Sequence, residues 1–196
     1  MENYLIYIIS LKSDIKRRDH MNDLMNKLRL DFKFYNAVES DDITDETISN
    51  LFSNVDYYQF NVNQRAVMAT LLSHVNLIRT ANQQNLNILI LEDDIDLINE
   101  FDFNNVNFND FDVFNIGSDG KKTIDCHSYF VSLEGTKKIL NHFDGNKITQ
   151  AFDWEMVKIN NLNLKFVTNP FFKQLKNHFP SNLAPNGYEN SKMSLG

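Results

Sequence analysis

Three consecutive acids, Glu92-Asp93-Asp94, follow the branched apolar run Ile88-Leu89-Ile90-Leu91 directly, and Ile95 closes the stretch. Adjacent carboxylates repel one another, so at least one takes up a proton unless a cation or hydrogen-bond donors lie close. A hard divalent ion, Mn²⁺ or Mg²⁺, relieves that repulsion through one or two carboxylates and leaves other positions for a substrate phosphate. The alternative role for the same acids is to cap the start of a following helix, where the dipole favours negative charge. The apolar residues before them read as a strand covered on both faces. In an open α/β sheet the carboxyl end of such a strand is where ligands bind.

Cationic candidates lie near the N-terminus. Lys12, Lys16, Arg17 and Arg18 follow a β-branched and aromatic run at residues 4–10, and a guanidinium in a first strand-to-helix turn can grip phosphate with two parallel hydrogen bonds. The plainer reading of Lys16 and Arg17 is a solvated helix face. Ser73-His74 sits on a helical stripe, where a histidine is either a structural side chain or a ligand-facing one. Gly120-Lys121-Lys122 is no phosphate loop, because the glycine spacing and the Lys-Ser/Thr ending are absent.

The elements that must position these residues alternate. Ser13-Asp14 is a helix-start signal after the first strand, and Met21, Leu24, Met25 and Leu28 share one helical face. Residues 31–38 read as a second strand that ends in the turn-prone Glu39-Ser40-Asp41-Asp42. A short helix over 44–52 follows, and 55–63 has no assignable pattern and is read as a loop over a site. From Gln64, Val67, Leu71, Val75 and Ile78 form an apolar stripe, with Asn63 as its cap. After the acidic triplet come a polar Asn/Asp/Phe-rich stretch, a strand over 111–116, a turn at 117–120, a strand over 127–132 and a helix over 134–143. A helical segment around Asp153 to Ile159 and a strand over 162–167 complete the series. Strand and helix in alternation, without repeats or a central linker, imply an α/β fold: a single Rossmann-like domain with a mostly parallel central sheet over residues 1–180. Residues 181–196 form a polar tail, expected to be partly disordered.

With 196 residues, 42% apolar and 23% charged, the chain can bury a core without covalent staples. Its 19 basic and 26 acidic side chains leave a net charge of −7, which argues against broad adhesion to nucleic acid or to anionic membrane. Cys126 is the sole cysteine, so an intrachain disulfide is impossible and a reducing setting is expected. The run at 4–9 is too short for a signal peptide core or a membrane span, so a cytoplasmic location is expected.

In order along the chain, Tyr7-Ile8-Ile9-Ser10-Leu11-Lys12 with Arg17-Arg18, then Phe34-Tyr35-Asn36-Ala37-Val38, Leu72-Ser73-His74 and Leu91-Glu92-Asp93-Asp94 resemble glycosyltransferase family 25, the family of lipooligosaccharide and procollagen galactosyltransferases. Tyr129-Phe130-Val131-Ser132 with Gly135 to Leu140, Asp153-Trp154, and Asn169-Pro170 through Gln174 extend the likeness to about residue 175. The resemblance implies a GT-A type enzyme that moves a hexose, galactose or glucose, from a UDP-sugar to a hydroxyl on a glycan, lipooligosaccharide or protein, with inversion. It places Ser10, Leu11, Arg18, Ala37, Val38, Ser73, His74, Glu92 and Asp93 at the donor nucleotide. Asp94, with Glu92 and His178, would hold Mn²⁺ or Mg²⁺, and Arg18 would add to the stabilisation of the leaving diphosphate. Asp153 would be the base that takes the acceptor proton. Trp154 and Gln174 would meet the acceptor, with the indole stacking on a sugar ring. The plainer alternatives are a helix-start carboxylate for Asp153 and a core position for Trp154.

Two departures stand out. Ser10 replaces the family's asparagine, and Ala66 to His74 lacks the glutamate and two glycines usual in that block, so ordinary helix is expected where relatives have a loop. A chain altered there could instead be a catalytically impaired transferase fold that only binds a sugar or a protein partner.

Overall fold

The computed structural model describes residues 4–51, 64–120, 125–175 and 178–179. The expected loop at 55–63, the Asn63 cap and the tail at 181–196 lie outside them.

The first strand, β1 (Tyr4–Ser10), leads into α1 (Ile15–Leu28). Asp14 caps α1 by accepting from the Arg17 amide, and Arg29 closes it in the left-handed conformation at φ 55°. Then come β2 (Lys33–Asn36), α2 (Asp45–Leu51) and the 20-residue α3 (Gln64–Gln83). The acidic stretch is carried by β3 (Asn87–Glu92), followed by β4 (Ile95–Leu97), β5 (Val113–Asn115) and β6 (Ser128–Val131). Last come α4 (Leu133–Gly145), capped by Ser132, α5 (Phe152–Met156), β7 (Leu164–Phe166) and β8 (Phe172–Gln174).

Six strands form the central sheet in the order β2-β1-β3-β6-β5-β7. Five run the same way, and β6 alone is antiparallel to both of its neighbours. The mixed α/β fold with a mostly parallel sheet is therefore the one expected, with a single reversal that apolar patterning cannot reveal.

Alternation along β3 explains its unbroken apolar run. Ile88 and Ile90 join the core formed with α3, α4 and α5, while Leu89 and Leu91 join a Phe-rich core with Met21, Leu24 and Met25 of α1. A strand buried on both faces has no solvent side on which to place polar residues. The same division splits Tyr7 and Ile9 from Ile6 and Ile8 on β1, and Tyr129 from Phe130 on β6. Gly135 sits where α4 meets β5 so closely that an added Cβ would fall 2.1 Å from the Asp112 carbonyl oxygen. Any larger residue there would push the helix off the sheet.

The helix-capping alternative for the acids does not hold. Asp93 and Asp94 form a tight turn, and the next element is the strand β4, not a helix. That strand pairs antiparallel with β8 in a two-stranded ribbon, Ile95 opposite Gln174. Neither short strand stood out in the sequence, since each has three residues and depends on the other for its pairing. No helix among the described residues is long and apolar enough to cross a membrane.

Candidate active site

Parallel pairing of β1 with β2 and β3 brings their carboxyl ends together, Ser10 beside Asn36 and Ile9 beside Glu92. The α3 helix packs over this edge. Between them opens a cleft of about 160 Å³. Its walls include Ser10, Leu11, Ala37, Val38, Ser73, His74, Glu92, Asp93, Asp94 and Gln174, ten of the positions singled out above, together with Arg17.

Hydrogen bonds tie the walls to one another. Ala37 N donates to Ser10 O at 3.0 Å, and Val38 N donates to Ser73 Oγ at 2.9 Å. Ser73 Oγ passes its own hydrogen to Ala69 O at 2.7 Å. Ser73 thus joins α3 to the loop after β2. The block from Ala66 to His74 is ordinary helix, as expected from its missing glycines.

Glu92 is held at both oxygens. His74 Nε2 lies 3.3 Å from Oε1, and Gln174 Nε2 donates to Oε2 at 3.0 Å. On its other side His74 Nδ1 is 2.7 Å from the Tyr129 hydroxyl, and the Phe152 ring stacks on the imidazole at 4.7 Å. Because a carboxylate only accepts, Nε2 carries the hydrogen toward Glu92. Burial works to raise the Glu92 carboxyl, but His74 and Gln174 hold it below its ordinary value. Burial and the nearby Cys126 and Glu92 push the Tyr129 hydroxyl well up.

The two aspartates sit differently. Asp93 Oδ1 accepts from Arg17 Nη1 at 2.7 Å, yet burial and the Glu92 charge leave its carboxyl raised. Asp94 is 8% exposed, and its Oδ2 lies 3.6 Å from Arg17 Nη1. Asp94 Oδ1 is buried with no hydrogen-bond partner among the described residues. Burial first, and then the Glu92 charge, push the Asp94 carboxyl up to about 7. A buried oxygen without a donor is costly, and a hard cation is one group that would satisfy it. The donor set therefore fits Mn²⁺ or Mg²⁺ held by one or two carboxylates, with phosphate and water completing the shell. No cluster of three or more His, Cys, Asp or Glu with metal-holding geometry occurs among the described residues, so a complete protein cage is not part of this arrangement.

Two arginines exchange the places expected of them. Arg18 lies at the strand ends, donating to Leu11 O, Ser10 O and Asn36 Oδ1 at 2.7–3.0 Å and packing its guanidinium 4.7 Å from the Phe34 ring centre. It clasps β1 to β2 and does not line the cleft. Arg17, open to a solvated or a ligand-facing reading, is buried at 7% exposure and faces the acids, so the solvated face does not hold. The clue lay in the helical period: Arg17, Met21, Leu24 and Met25 share the inward face of α1.

The late residues are more scattered. His178 is exposed, its amide donates to Leu175 O at 2.9 Å, and it joins no metal-holding group with the acids among the described residues. Asp153 lies in the first turn of α5 and accepts from the Trp154 amide at 3.0 Å, so the helix-start reading is part of its role. Burial, with the charges of Asp125 and Glu92, raises its carboxyl to about 6, which puts it within electrostatic reach of the cleft without being one of its walls. Trp154 is 54% exposed, so the core reading fails and the indole face is open to solvent.

An α/β sheet that gathers two buried aspartates, a part-buried glutamate and a buried arginine at the carboxyl ends of parallel strands has the layout of a ligand-binding domain. The chain belongs to glycosyltransferase family 25: the family model described as "Glycosyltransferase family 25 (LPS biosynthesis protein)" matches residues 3–113, the segment that supplies every cleft wall except Gln174. A Haemophilus influenzae protein named "Putative glycosyltransferase" is 34% identical over 92 residues, 46% of this chain and 32% of that relative. The aligned part is thus about a third of that relative's length. A solved glycosyltransferase involved in the glycosylation of the major capsid of PBCV-1 covers 87% of this chain and 93% of its own at 13% identity, with a TM-score of 0.47. That superposition is too loose to bear on the activity.

Proposed function

We propose that this chain transfers a hexose, galactose or glucose, from a UDP-sugar to a hydroxyl on a glycan, lipooligosaccharide or protein, in an inverting, metal-assisted reaction in the cytoplasm. One observation carries the reading. The family's separate motifs, Ser10-Leu11, Ala37-Val38, Ser73-His74 and Glu92 to Asp94, converge on one cleft, and Asp94 in its wall has a buried oxygen with no partner among the described residues.

A divalent ion, when bound, supplies positive charge to the departing diphosphate. Asp94 would hold it through Oδ1, with Asp93 or Glu92 beside it. The residues of this chain do the rest. Ser10, Leu11, Ala37 and Val38 line the wall nearest the first strand-to-helix turn and frame the nucleotide. His74 and Gln174 fix the Glu92 side chain from both sides, so that its charge meets the sugar in one orientation. Asp153, whose carboxyl is raised to about 6 and is mostly ionised at neutral pH, accepts the proton from the acceptor hydroxyl, and Trp154 offers an open face to the acceptor ring.

A second reading has its own support. The uninterrupted α3 helix replaces a glycine-containing block, and a cleft altered in this way would bind sugar or a protein partner without turnover. Thermal unfolding across a panel of nucleotide sugars, with and without Mn²⁺, followed by assay for UDP release, separates the two. Mn²⁺-dependent stabilisation with UDP release supports the transferase, and stabilisation without release supports the binding protein. No response to any nucleotide sugar would sink the transferase and leave only a binder of a protein partner.

A further inference from the structure

We propose that Arg17 is an exchangeable counter-ion: it shares Asp93 and Asp94 with the divalent ion and turns its guanidinium to the donor diphosphate when the ion binds. This rests on the donor-site reading above and adds to it an order of events.

Three features carry the inference. The guanidinium touches three carboxylates at once, with Nε 3.2 Å from Asp14 Oδ2 and Nη1 2.7 Å from Asp93 Oδ1 and 3.6 Å from Asp94 Oδ2. It lines the same cleft as Asp94, meets that residue through Oδ2, and leaves its buried Oδ1 without a partner among the described residues, so the two oxygens of one carboxylate are served differently. Its Asp14 contact and its Asp93 and Asp94 contacts are also unequal. Asp14 is the N-cap of α1, fixed by the Arg17 amide, whereas the Asp93 and Asp94 bonds lie on the ligand side. The Nε link can therefore stay while Nη1 lets go.

Charge decides the direction. Arg17 brings one positive charge to the Asp93–Asp94 pair, and a divalent ion on the same pair supplies two, so the ion takes over the neutralising role that Arg17 fills without it. Two cations crowded on the same pair of carboxylates repel each other. The cation that can leave is the one on a flexible side chain, and a diphosphate offers it paired oxygens that match its planar fork. The Phe179 ring, 5.5 Å from the guanidinium, covers it from the other side and limits where it can go.

A purely structural Arg17, one that only staples α1 to the acidic turn, predicts something different: its loss would weaken ion and nucleotide binding together. Calorimetric titration of the full chain with Mn²⁺ alone, and with UDP at saturating Mn²⁺, distinguishes the roles. For Arg17→Met the expected result is Mn²⁺ binding several-fold tighter and UDP binding about tenfold or more weaker, within the usual 5- to 150-fold range of site coupling. Loss of both affinities, or unchanged UDP binding, overturns the inference. If Arg17→Met does not fold, Arg17→Lys carries the test. It keeps the charge but lacks the fork, so UDP should weaken several-fold while Mn²⁺ binding holds, and equal UDP affinity would overturn the inference. If the wild-type chain binds neither probe, the donor-site reading itself falls and this one with it. Wild-type binding of both, with variants that behave identically, removes only the role of Arg17.

Discussion

Asp153→Asn should make the protein more stable and less active at the same time. In the folded chain burial, then Asp125 and Glu92, raise the Asp153 carboxyl from 3.8 to about 6. The folded state therefore holds the proton more tightly than the unfolded one between those values, and stability falls as pH rises from about 4 to about 6. A shift of that size corresponds to about 3 kcal/mol at 1.36 kcal/mol per unit, and the partial exposure of the side chain reduces this to roughly 1–3 kcal/mol. Asparagine carries no charge to be penalised. Urea unfolding of both proteins should show no difference near pH 4 and a gain of that order for the variant above pH 6.5. Transfer should drop by about 10²–10⁴-fold, the usual contribution of a positioned base. The wild-type kcat/KM should rise with pH along a limb centred near 6, and the residual activity of the variant should lack that limb. A variant that is less stable at pH 7, or that retains the limb, would refute the account of Asp153 as a strained base beside the cleft.

Other outcomes follow from the same contacts. Asp94→Asn should abolish the Mn²⁺-dependent stabilisation by UDP, which for the wild type reaches about 2.7 kcal/mol at a ligand concentration of 100 Kd, and EDTA should remove the wild-type effect in the same thermal assay. Glu155 accepts from Thr149 N, Thr149 Oγ1, Gln150 N and Lys158 Nζ, and His142 Nε2 lies 3.1 Å from its second oxygen. Burial opposes its ionisation, but Lys158, His142 and Thr149 hold the carboxyl down to about 2. That stabilisation is present above pH 4.5 and fades as pH falls toward 2. Glu155→Gln should therefore cost about 3 kcal/mol at pH 7 and little at pH 2, as read by chemical denaturation. Trp154→Ala should leave unfolding within about 0.5 kcal/mol of wild type, since the ring is largely exposed, yet raise the acceptor KM several-fold in steady-state assay.

Much of the framework was legible because the chain states it locally. The run Ile88 to Leu91, the stripe on α3 and the Asp14 cap before α1 are each short-range signals, and so is the helical pattern of α4. Structure moved their boundaries by only a few residues. The short strands β4 and β8 were not legible, since three residues form a strand only when a distant partner supplies the hydrogen bonds. Nor was the reversal of β6, because an apolar run carries no direction.

At the cleft the division is sharper. Residue types and order along the chain by themselves determined that acids end a doubly buried strand, that a basic turn follows the first strand, and that the ordered motifs resemble one transferase family. Which arginine meets the acids was decided by the pitch of α1, which turns Arg17 inward and leaves Arg18 to clasp the strand ends. That Gln174 reaches Glu92 across 82 residues of chain was decided by the β4–β8 ribbon. The lone Asp94 oxygen is likewise a product of three-dimensional enclosure. Charge and hydropathy belong to single residues and can be read in order. Desolvation and pairing belong to the space between residues, and exist only once the chain has closed around it.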